Sequence, residues 1–182
     1  MAEPEVQWLS PDERAAWMAT AALIVRLPGA LDAQLQRDHD LCFFEYMILA
    51  MLSERSDCSL QMSDLAAATS ASLSRLSHAV KRLEGNGFVR RERLPGAGRR
   101  TRAIITDAGM EKIQQAAPGH VQMVRDLLID AVATEDLAAL RRVGERVLHQ
   151  IDPDDPFLDG AAQLPPSSSG SGSGSPTSPR RQ

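Results

Sequence analysis

The sequence predicts a mainly α-helical fold with one small β-hairpin, and three features support this prediction. Aromatic residues are only 4% of the 182 residues, whereas 43% are hydrophobic, so the core must consist largely of aliphatic side chains, which suit helices. Apolar residues recur at intervals of three and four. One pair of short β-prone segments, "FVRRERL" and "RTRAIIT", flanks a Pro/Gly turn.

The N-terminal region, residues 1–38, is predicted to be helical. Ser10–Glu13 combines a serine cap, a proline at the first helical position and a glutamate that can close a capping box. We expect Pro28 and Gly29 to end this helix. A second helix follows, and its buried positions are predicted to be Phe43, Met47, Ile48, Met51 and Leu52.

Residues 39–106 are predicted to contain a helix-turn-helix. "SLQMSDLAAATS" is interpreted as a short helix, and Ser70–Ala71 as the turn. Ser72 then caps a longer helix that ends at Gly85–Gly87. Its apolar stripe consists of Leu73, Leu76, Val80 and Leu83. Because the β-hairpin follows directly, the whole unit is predicted to be a winged helix-turn-helix.

The C-terminal region, residues 107–152, is predicted to form further helices. The first is bent or interrupted at Pro118–Gly119, and Thr134–Asp136 caps the last. Their apolar faces exceed what one winged helix can cover, so we expect them to pair with the first helix and with a second copy of the chain. Residues 160–182, rich in Ser, Gly and Pro, are predicted to be a disordered tail.

The charge of the chain is strongly polarised. Residues 69–102 hold 9 bases and 2 acids, a net charge of +7, whereas the rest holds 11 bases and 22 acids, a net charge of −11. Such a layout is typical of a protein that binds a polyanion with one surface. The expected partner is double-stranded DNA.

Candidate DNA-binding residues lie on the second helix of the helix-turn-helix and on the wing. The helix carries Ser72, Ser74, Arg75, His78 and Arg82, and the wing carries Arg91, Arg99, Arg100 and Arg102. Arg75 can bond a guanine in a bidentate way, although a solvated surface charge is the alternative. Ser72 suits a helix cap and a phosphate contact equally well. Arg99, next to the hairpin tip, suits a narrow minor groove.

Other classes of function have weaker support. No phosphate-binding loop, nucleophile elbow or zinc-protease motif occurs, so neither an enzyme nor a cofactor is predicted. Cys42 and Cys58 are interpreted as free thiols, and Cys42 as a small hydrophobe rather than a metal ligand. The acidic N-terminus and the lack of a long apolar run predict a cytoplasmic protein without a membrane segment. A winged helix used only for protein–protein contacts remains the alternative.

The segment "MSDLAAATSASLSRLSHAVKRLEGNGFVRRE", with the wing and "IITDAG" after it, resembles the MarR family of bacterial transcription regulators. The resemblance runs from about Ser10 to Ile151. It implies a homodimer, usually a repressor, and many members of the family release DNA when a small-molecule effector binds. Where the family often has Asp-x-Arg in the wing, this chain has Ala97, Gly98 and Arg99.

A possible effector pocket lies between the first two predicted helices. Its candidate lining residues are Trp17, His39, Phe43 and Met47. Residues of these four types are, however, more often ordinary members of a core than part of a pocket.

Overall fold

The computed structural model describes residues 6–94 and 100–153. Its helices are α1 (Pro11–His39), α2 (Phe43–Ser53), α3 (Met62–Ala68), α4 (Leu73–Gly85), α5 (Asp107–Val124) and α6 (Thr134–Ile151). Its strands are β1 (Ser59–Gln61), β2 (Val89–Arg93) and β3 (Thr101–Ile105). The predictions for Arg99 and for the tail at 160–182 fall outside the described residues.

The predicted fold class is confirmed: helices dominate, and β2 and β3 form the antiparallel wing beside the helix-turn-helix of α3 and α4. The sheet has the order β1-β3-β2, with both neighbours of β3 antiparallel to it. The register places Val89 opposite Ile105 and Glu92 opposite Arg102. The central strand therefore has one partner from the wing and one from the segment before α3.

The start of α1 follows the prediction. The Oγ of Ser10 accepts a hydrogen bond from the Glu13 amide at 3.3 Å, and the Glu13 carboxylate accepts one from the Ser10 amide at 2.7 Å. These two bonds satisfy amides that have no partner within the helix, and they form a complete capping box.

The predicted end of α1 at Pro28 is wrong, because the helix continues to His39. A proline inside a helix costs about 3 kcal/mol, since it removes a hydrogen bond and crowds the preceding turn. Burial of Leu31 and Leu35 in the second half of α1 is worth roughly 1.5–3 kcal/mol for each side chain, enough to offset that cost. The helix ends where Asp40 takes a left-handed conformation, with φ of 52°.

The segment before α3 also differs from the prediction. Residues Ser59–Gln61 form β1 rather than the beginning of a helix, and Leu60 pairs with Ala103 of β3. Three residues are too few to show a period, so the hydrogen-bonding edge of β3 determines their conformation. Helix α3 therefore starts only at Met62.

The core lies where α2, α3 and α4 pack on the sheet and on α5. Its fully buried aliphatic side chains are Leu35, Leu41, Ile48, Leu49, Leu52, Leu65, Leu76, Val80, Leu83, Ala103 and Ala116. Of the positions predicted to be buried in α2, Ile48 and Leu52 are fully enclosed, whereas Phe43, Met47 and Met51 are half-buried. This core fixes the orientation of α4 and the wing.

The C-terminal helices are less interrupted than predicted. Helix α5 runs through Pro118 to Val124 and continues as a π-helical segment, Arg125–Ile129. Helix α6 begins at Thr134, and its N-cap is Ala133, which has no side chain able to cap. Within the described part of the chain, α6 buries no residue. No helix among the described residues is long and apolar enough to cross a membrane.

Candidate nucleic-acid interface

Helix α4 forms an exposed ridge between two surface hollows. The first, here named the α2–α4 hollow, has a volume of about 510 Å³ and is lined by Cys42, Phe44, Arg75, His78, Ala79, Lys81 and Arg82. The second, the α4–wing hollow, has a volume of about 450 Å³ and is lined by Gln61, Met62, Ser63, Leu73, Ser74, Ser77, Arg91, Arg100 and Thr101. Basic side chains therefore stand on both sides of one helix.

Helix α4 begins and ends where the local sequence predicts. The Oγ of Ser72 accepts a hydrogen bond from the Arg75 amide at 3.2 Å, and this bond caps the first turn. At the other end Gly87 has a φ of 76°, a conformation that glycine adopts without strain. Ser74, Arg75 and His78 are exposed on the outer side of the helix. Ser72 thus caps α4, and its exposed hydroxyl is still accessible to a ligand.

The two arginines of α4 have different partners on α2. The guanidinium of Arg75 lies over the ring of Phe44, 4.4 Å from the ring centroid. The Nε of Arg82 donates to the carboxylate of Glu45 at 2.8 Å, and one of its terminal nitrogens donates to the sulfur of Cys42 at 3.3 Å. The side chain of Glu45 is only 6% exposed, so Arg82 has a structural role besides its predicted contact with DNA.

Cys42 is a helix cap rather than a simple hydrophobe. Its sulfur accepts from the Glu45 amide at 3.4 Å, and the Glu45 carboxylate accepts from the Cys42 amide at 3.1 Å. Burial raises the pKa of the Cys42 thiol, which keeps it protonated and unreactive at neutral pH. Among the described residues, no group of three His, Cys, Asp or Glu side chains can hold a metal ion.

Several wing arginines are paired with carboxylates, so part of the positive charge of residues 69–102 is neutralised within the chain. Glu84 accepts from the amide of Arg91 at 3.0 Å and from its Nε at 2.8 Å. Glu92 accepts from Arg102 at 2.8 Å directly across the sheet, and this bond lowers the pKa of the Glu92 carboxyl. Arg90 also lies 3.8 Å from Glu92. The pair of Arg91 with Glu84 holds the wing against α4, the pairs with Glu92 lie within the wing, and all of them reduce its free charge.

Other basic residues keep their charge available. In residues 6–94 and 100–153, no carboxylate pairs with Arg75, Lys81, Arg93 or Arg100. Arg75 and Lys81 line the α2–α4 hollow, and Arg100 lines the α4–wing hollow. The cations able to neutralise phosphates thus lie along both sides of α4 rather than mainly on the strands.

Leu73 was predicted to belong to the buried stripe of α4, but it lies at the surface. The structure leaves it 59% exposed, on the first turn of α4 in the α4–wing hollow. An exposed apolar side chain at this position can contact the methyl group of thymine. Leu73 was predicted to be buried because it has the spacing of the apolar stripe, but the first residue of such a stripe often lies beyond the edge of the core.

The four residues predicted to line an effector pocket do not meet within one chain. Trp17 and His39 lie on the continuous helix α1, whose rise of ~1.5 Å per residue separates them by roughly 33 Å. Trp17 is 56% exposed. Phe43 and Met47 lie on α2, where both are half-buried.

Phe43 lies instead beside His120 of α5. The ring centroid of His120 on α5 lies 4.2 Å from that of Tyr46 and 5.8 Å from that of Phe43. The Nδ1 of His120 and the Oε1 of Gln34 are buried without a hydrogen-bond partner among the described residues. Gln34 lies beside the residue that precedes His120, since a Cβ added at Gly119 would lie 3.2 Å from the Nε2 of Gln34. We name Gln34, Phe43, Tyr46 and His120 the α1–α2–α5 group. One feature of the sequence could have indicated this group: His120 follows the buried residues Ile113 and Ala116 of α5 at helical spacing.

His120 predicts a pH dependence of stability. Burial lowers the pKa of His120 below its ordinary value of 6.5, so the folded chain binds this proton more weakly than the unfolded chain. The contribution of His120 to stability is therefore complete above about pH 6.5 and is lost as the pH falls below that value. We expect His120→Phe, which keeps an aromatic ring beside Tyr46, to reduce the loss of stability between pH 7 and pH 5.

Urea unfolding at several pH values measures this effect. His78→Gln is the matched control, because it removes a histidine that is exposed on α4 rather than packed against the rings of α2. An unchanged pH dependence in His120→Phe contradicts the prediction.

The comparisons with known proteins agree with this geometry. Residues 45–101 match the model of the MarR family. Sco3205 from Streptomyces coelicolor, a MarR family transcriptional regulator solved in complex with DNA, is 38% identical with a TM-score of 0.79; the match covers 86% of this chain and 99% of that one. AbsC, a MarR family regulator from the same organism, is 36% identical with a TM-score of 0.76, covering 80% and 98%. No curated protein sequence matches the chain.

The chain has a helix-turn-helix followed by a wing, and unpaired cations lie on both sides of the second helix. These features define a winged-helix DNA-binding protein. The similarity to Sco3205 and AbsC extends over nearly the whole of both proteins. The chain belongs to the MarR family of transcriptional regulators.

Proposed function

We propose that the chain is a homodimeric repressor that binds a near-palindromic DNA operator through α4 and is released by a small-molecule effector. The observation that carries the proposal is the ridge of α4 between two hollows with unpaired cations. The major groove of B-DNA is about 12 Å wide and admits one α-helix, with a phosphate backbone on each side. Lys81 then faces one backbone region, and Arg100 faces the other.

The crystal structure of Sco3205 in complex with DNA supports this proposal, because that regulator is 38% identical to the chain. In the proposed complex Arg75 bonds a guanine, Leu73 contacts a thymine methyl, and Ser72 and Ser74 approach phosphates. His78 lies beside Arg75 in the α2–α4 hollow, where its ring can donate a hydrogen bond to a phosphate oxygen. Arg82, Arg91 and Arg102 contribute mainly by holding α4 and the wing in place.

Exposed apolar faces at both ends of the chain support the homodimer. The first half of α1 exposes Trp17, Ile24 and Val25, and α6 exposes Leu140, Val143, Val147 and Ile151. A continuous apolar stripe of this size is typical of an interface, and two-fold symmetry is the commonest way to cover it. A symmetric dimer presents two copies of α4, so we expect two half-sites about one helical turn apart.

The α1–α2–α5 group supports an effector site. It joins the helices of the proposed dimer region to α2, which holds both arginines of α4 through Phe44 and Glu45. Gln34 offers a buried acceptor and His120 a buried ring nitrogen, so the group suits a small polar aromatic molecule with a hydrogen-bond donor.

Selection of bound duplexes from a random library tests the proposal. A recovered sequence with two inverted half-sites is the expected result. Failure to retain any duplex at low salt would instead favour the alternative of a winged helix that contacts only proteins, since a regulator of this kind binds even random DNA under those conditions.

Two substitutions separate base reading from charge. Arg75→Ala should weaken binding to the selected duplex by about 1–3 kcal/mol and binding to a scrambled duplex much less, because the bidentate pair of hydrogen bonds to guanine is removed. Arg100→Ala should weaken both duplexes alike and reduce the salt-dependence slope by about 0.9 for each phosphate that the variant no longer neutralises. Titrations with both duplexes at several salt concentrations provide the measurement. Equal losses of affinity on both duplexes for Arg75→Ala would exclude its role as a base reader.

A further inference from the structure

We propose that Phe44 of α2 is a positioning residue for DNA recognition, which acts by holding the guanidinium of Arg75 in the orientation that reads a base. The inference rests on the proposed function, because it assigns to Phe44 the discrimination that Arg75 provides.

The contact between the two side chains is specific. The guanidinium carbon of Arg75 lies 4.4 Å from the centroid of the Phe44 ring, within the range in which an aromatic face attracts a cation. Within the described residues no carboxylate pairs with Arg75, so the ring is the partner that the chain itself offers. Both side chains line the α2–α4 hollow, beside the outer face of α4.

The ring of Phe44 is itself anchored. Phe44 is half-buried and packs against the hydrophobic core. The turn that carries it is fixed by Asp32 of α1, whose carboxylate accepts from the Phe43 amide at 2.7 Å. A rigid aromatic surface therefore stands beside a long and flexible arginine, and holding that arginine before binding lowers the entropy cost when it meets a base.

A second contact fixes the register between α2 and α4. Glu45, next to Phe44, accepts from Arg82 at 2.8 Å, and Arg82 lies two helical turns beyond Arg75 on the same side of α4. Consecutive residues of α2 thus hold two arginines of α4. Because α4 cannot slide along α2 without taking Arg82 away from the buried Glu45 carboxylate, the ring of Phe44 stays aligned with Arg75.

A purely structural role for Phe44 makes different predictions. Loss of core packing lowers thermal stability and weakens binding to every duplex, whether or not Arg75 is present. A positioning role changes the preference between duplexes, and its effect disappears once Arg75 is removed.

The test uses the full chain and four variants: Phe44→Leu, Phe44→Tyr, Arg75→Ala and the double variant Phe44→Leu/Arg75→Ala. The probes are the best duplex selected from a random library and a scrambled duplex of the same length and composition. Phe44→Leu should reduce the ratio of the two affinities by about three- to fivefold, as expected for removal of a partly exposed cation–π interaction. Phe44→Tyr keeps the aromatic face and should keep the wild-type ratio. In the Arg75→Ala background, Phe44→Leu should leave the ratio unchanged.

Thermal melting of each variant identifies those that fold, and Phe44→Met replaces Phe44→Leu if the latter does not. An equal loss of affinity on both duplexes, or a loss of the same size without Arg75, overturns the inference while the proposed function stands. A wild-type chain that prefers neither duplex overturns the proposed function, and the inference with it. The two failures are therefore distinguishable.

Discussion

Replacement of Gly109 by alanine is expected to lower the free energy of unfolding by about 3 kcal/mol, because the site has no room for a side chain. A Cβ atom at this position would lie 2.1 Å from the carbonyl oxygen of Phe88 and 2.8 Å from the Cγ1 of Ile105. The Phe88 carbonyl cannot move freely, since it accepts a hydrogen bond from the Thr106 amide at 3.0 Å. To make room for the Cβ atom, the first turn of α5 must therefore move away from Phe88, which ends the connection between α4 and β2.

Gly85→Ala is the matched control for this experiment. Gly85 is the last residue of α4, and nothing lies within 4 Å of an added Cβ. Its replacement should be neutral or stabilise the protein by up to about 1 kcal/mol, because alanine restricts the unfolded chain more than glycine does. Urea unfolding at one fixed protein concentration compares the three proteins. A stability of Gly109→Ala equal to that of the wild type would show that α5 and Phe88 separate at little cost.

Val143→Asp is expected to dissociate the proposed dimer and to reduce affinity for the selected duplex at least about a hundredfold. Val143 is 59% exposed in the single chain, on the apolar face of α6. If a partner covers this face, the substitution buries an unpaired carboxylate in each half of the interface, at a cost of about 3–5 kcal/mol. A monomer then carries only one α4, so the second half-site of the operator adds nothing to affinity.

Ala138→Asp introduces the same charge on the opposite side of α6. Ala138 is exposed and lies outside the apolar face of α6, so this variant should remain dimeric. Light scattering at micromolar concentration measures the mass of each protein. A dimeric Val143→Asp would place the interface elsewhere, and a monomeric wild type would remove the basis of the proposed dimer.

Several elements of the fold were predictable from local sequence. The Ser10–Glu13 capping box, the Ser72 cap, the buried positions Leu76, Val80 and Leu83, and the β2–β3 hairpin all have the predicted form. These features depend on hydrogen bonds and spacings that span only a few residues. The chemistry that produces them is complete within the local segment, so a single sequence is sufficient to reveal it.

Long-range contacts account for what the sequence left undetermined. Whether Pro28 ends α1 depends on the burial of Leu31 and Leu35 against distant helices, and β1 forms because the edge of β3 is adjacent to it. The arginines of residues 69–102 look equivalent in the sequence. Glu45, 37 residues from Arg82, forms a hydrogen bond with it, whereas Arg75 lies over the ring of Phe44 and pairs with no carboxylate of the described residues. Electrostatic energy depends on distance and burial, which exist only once the chain has folded.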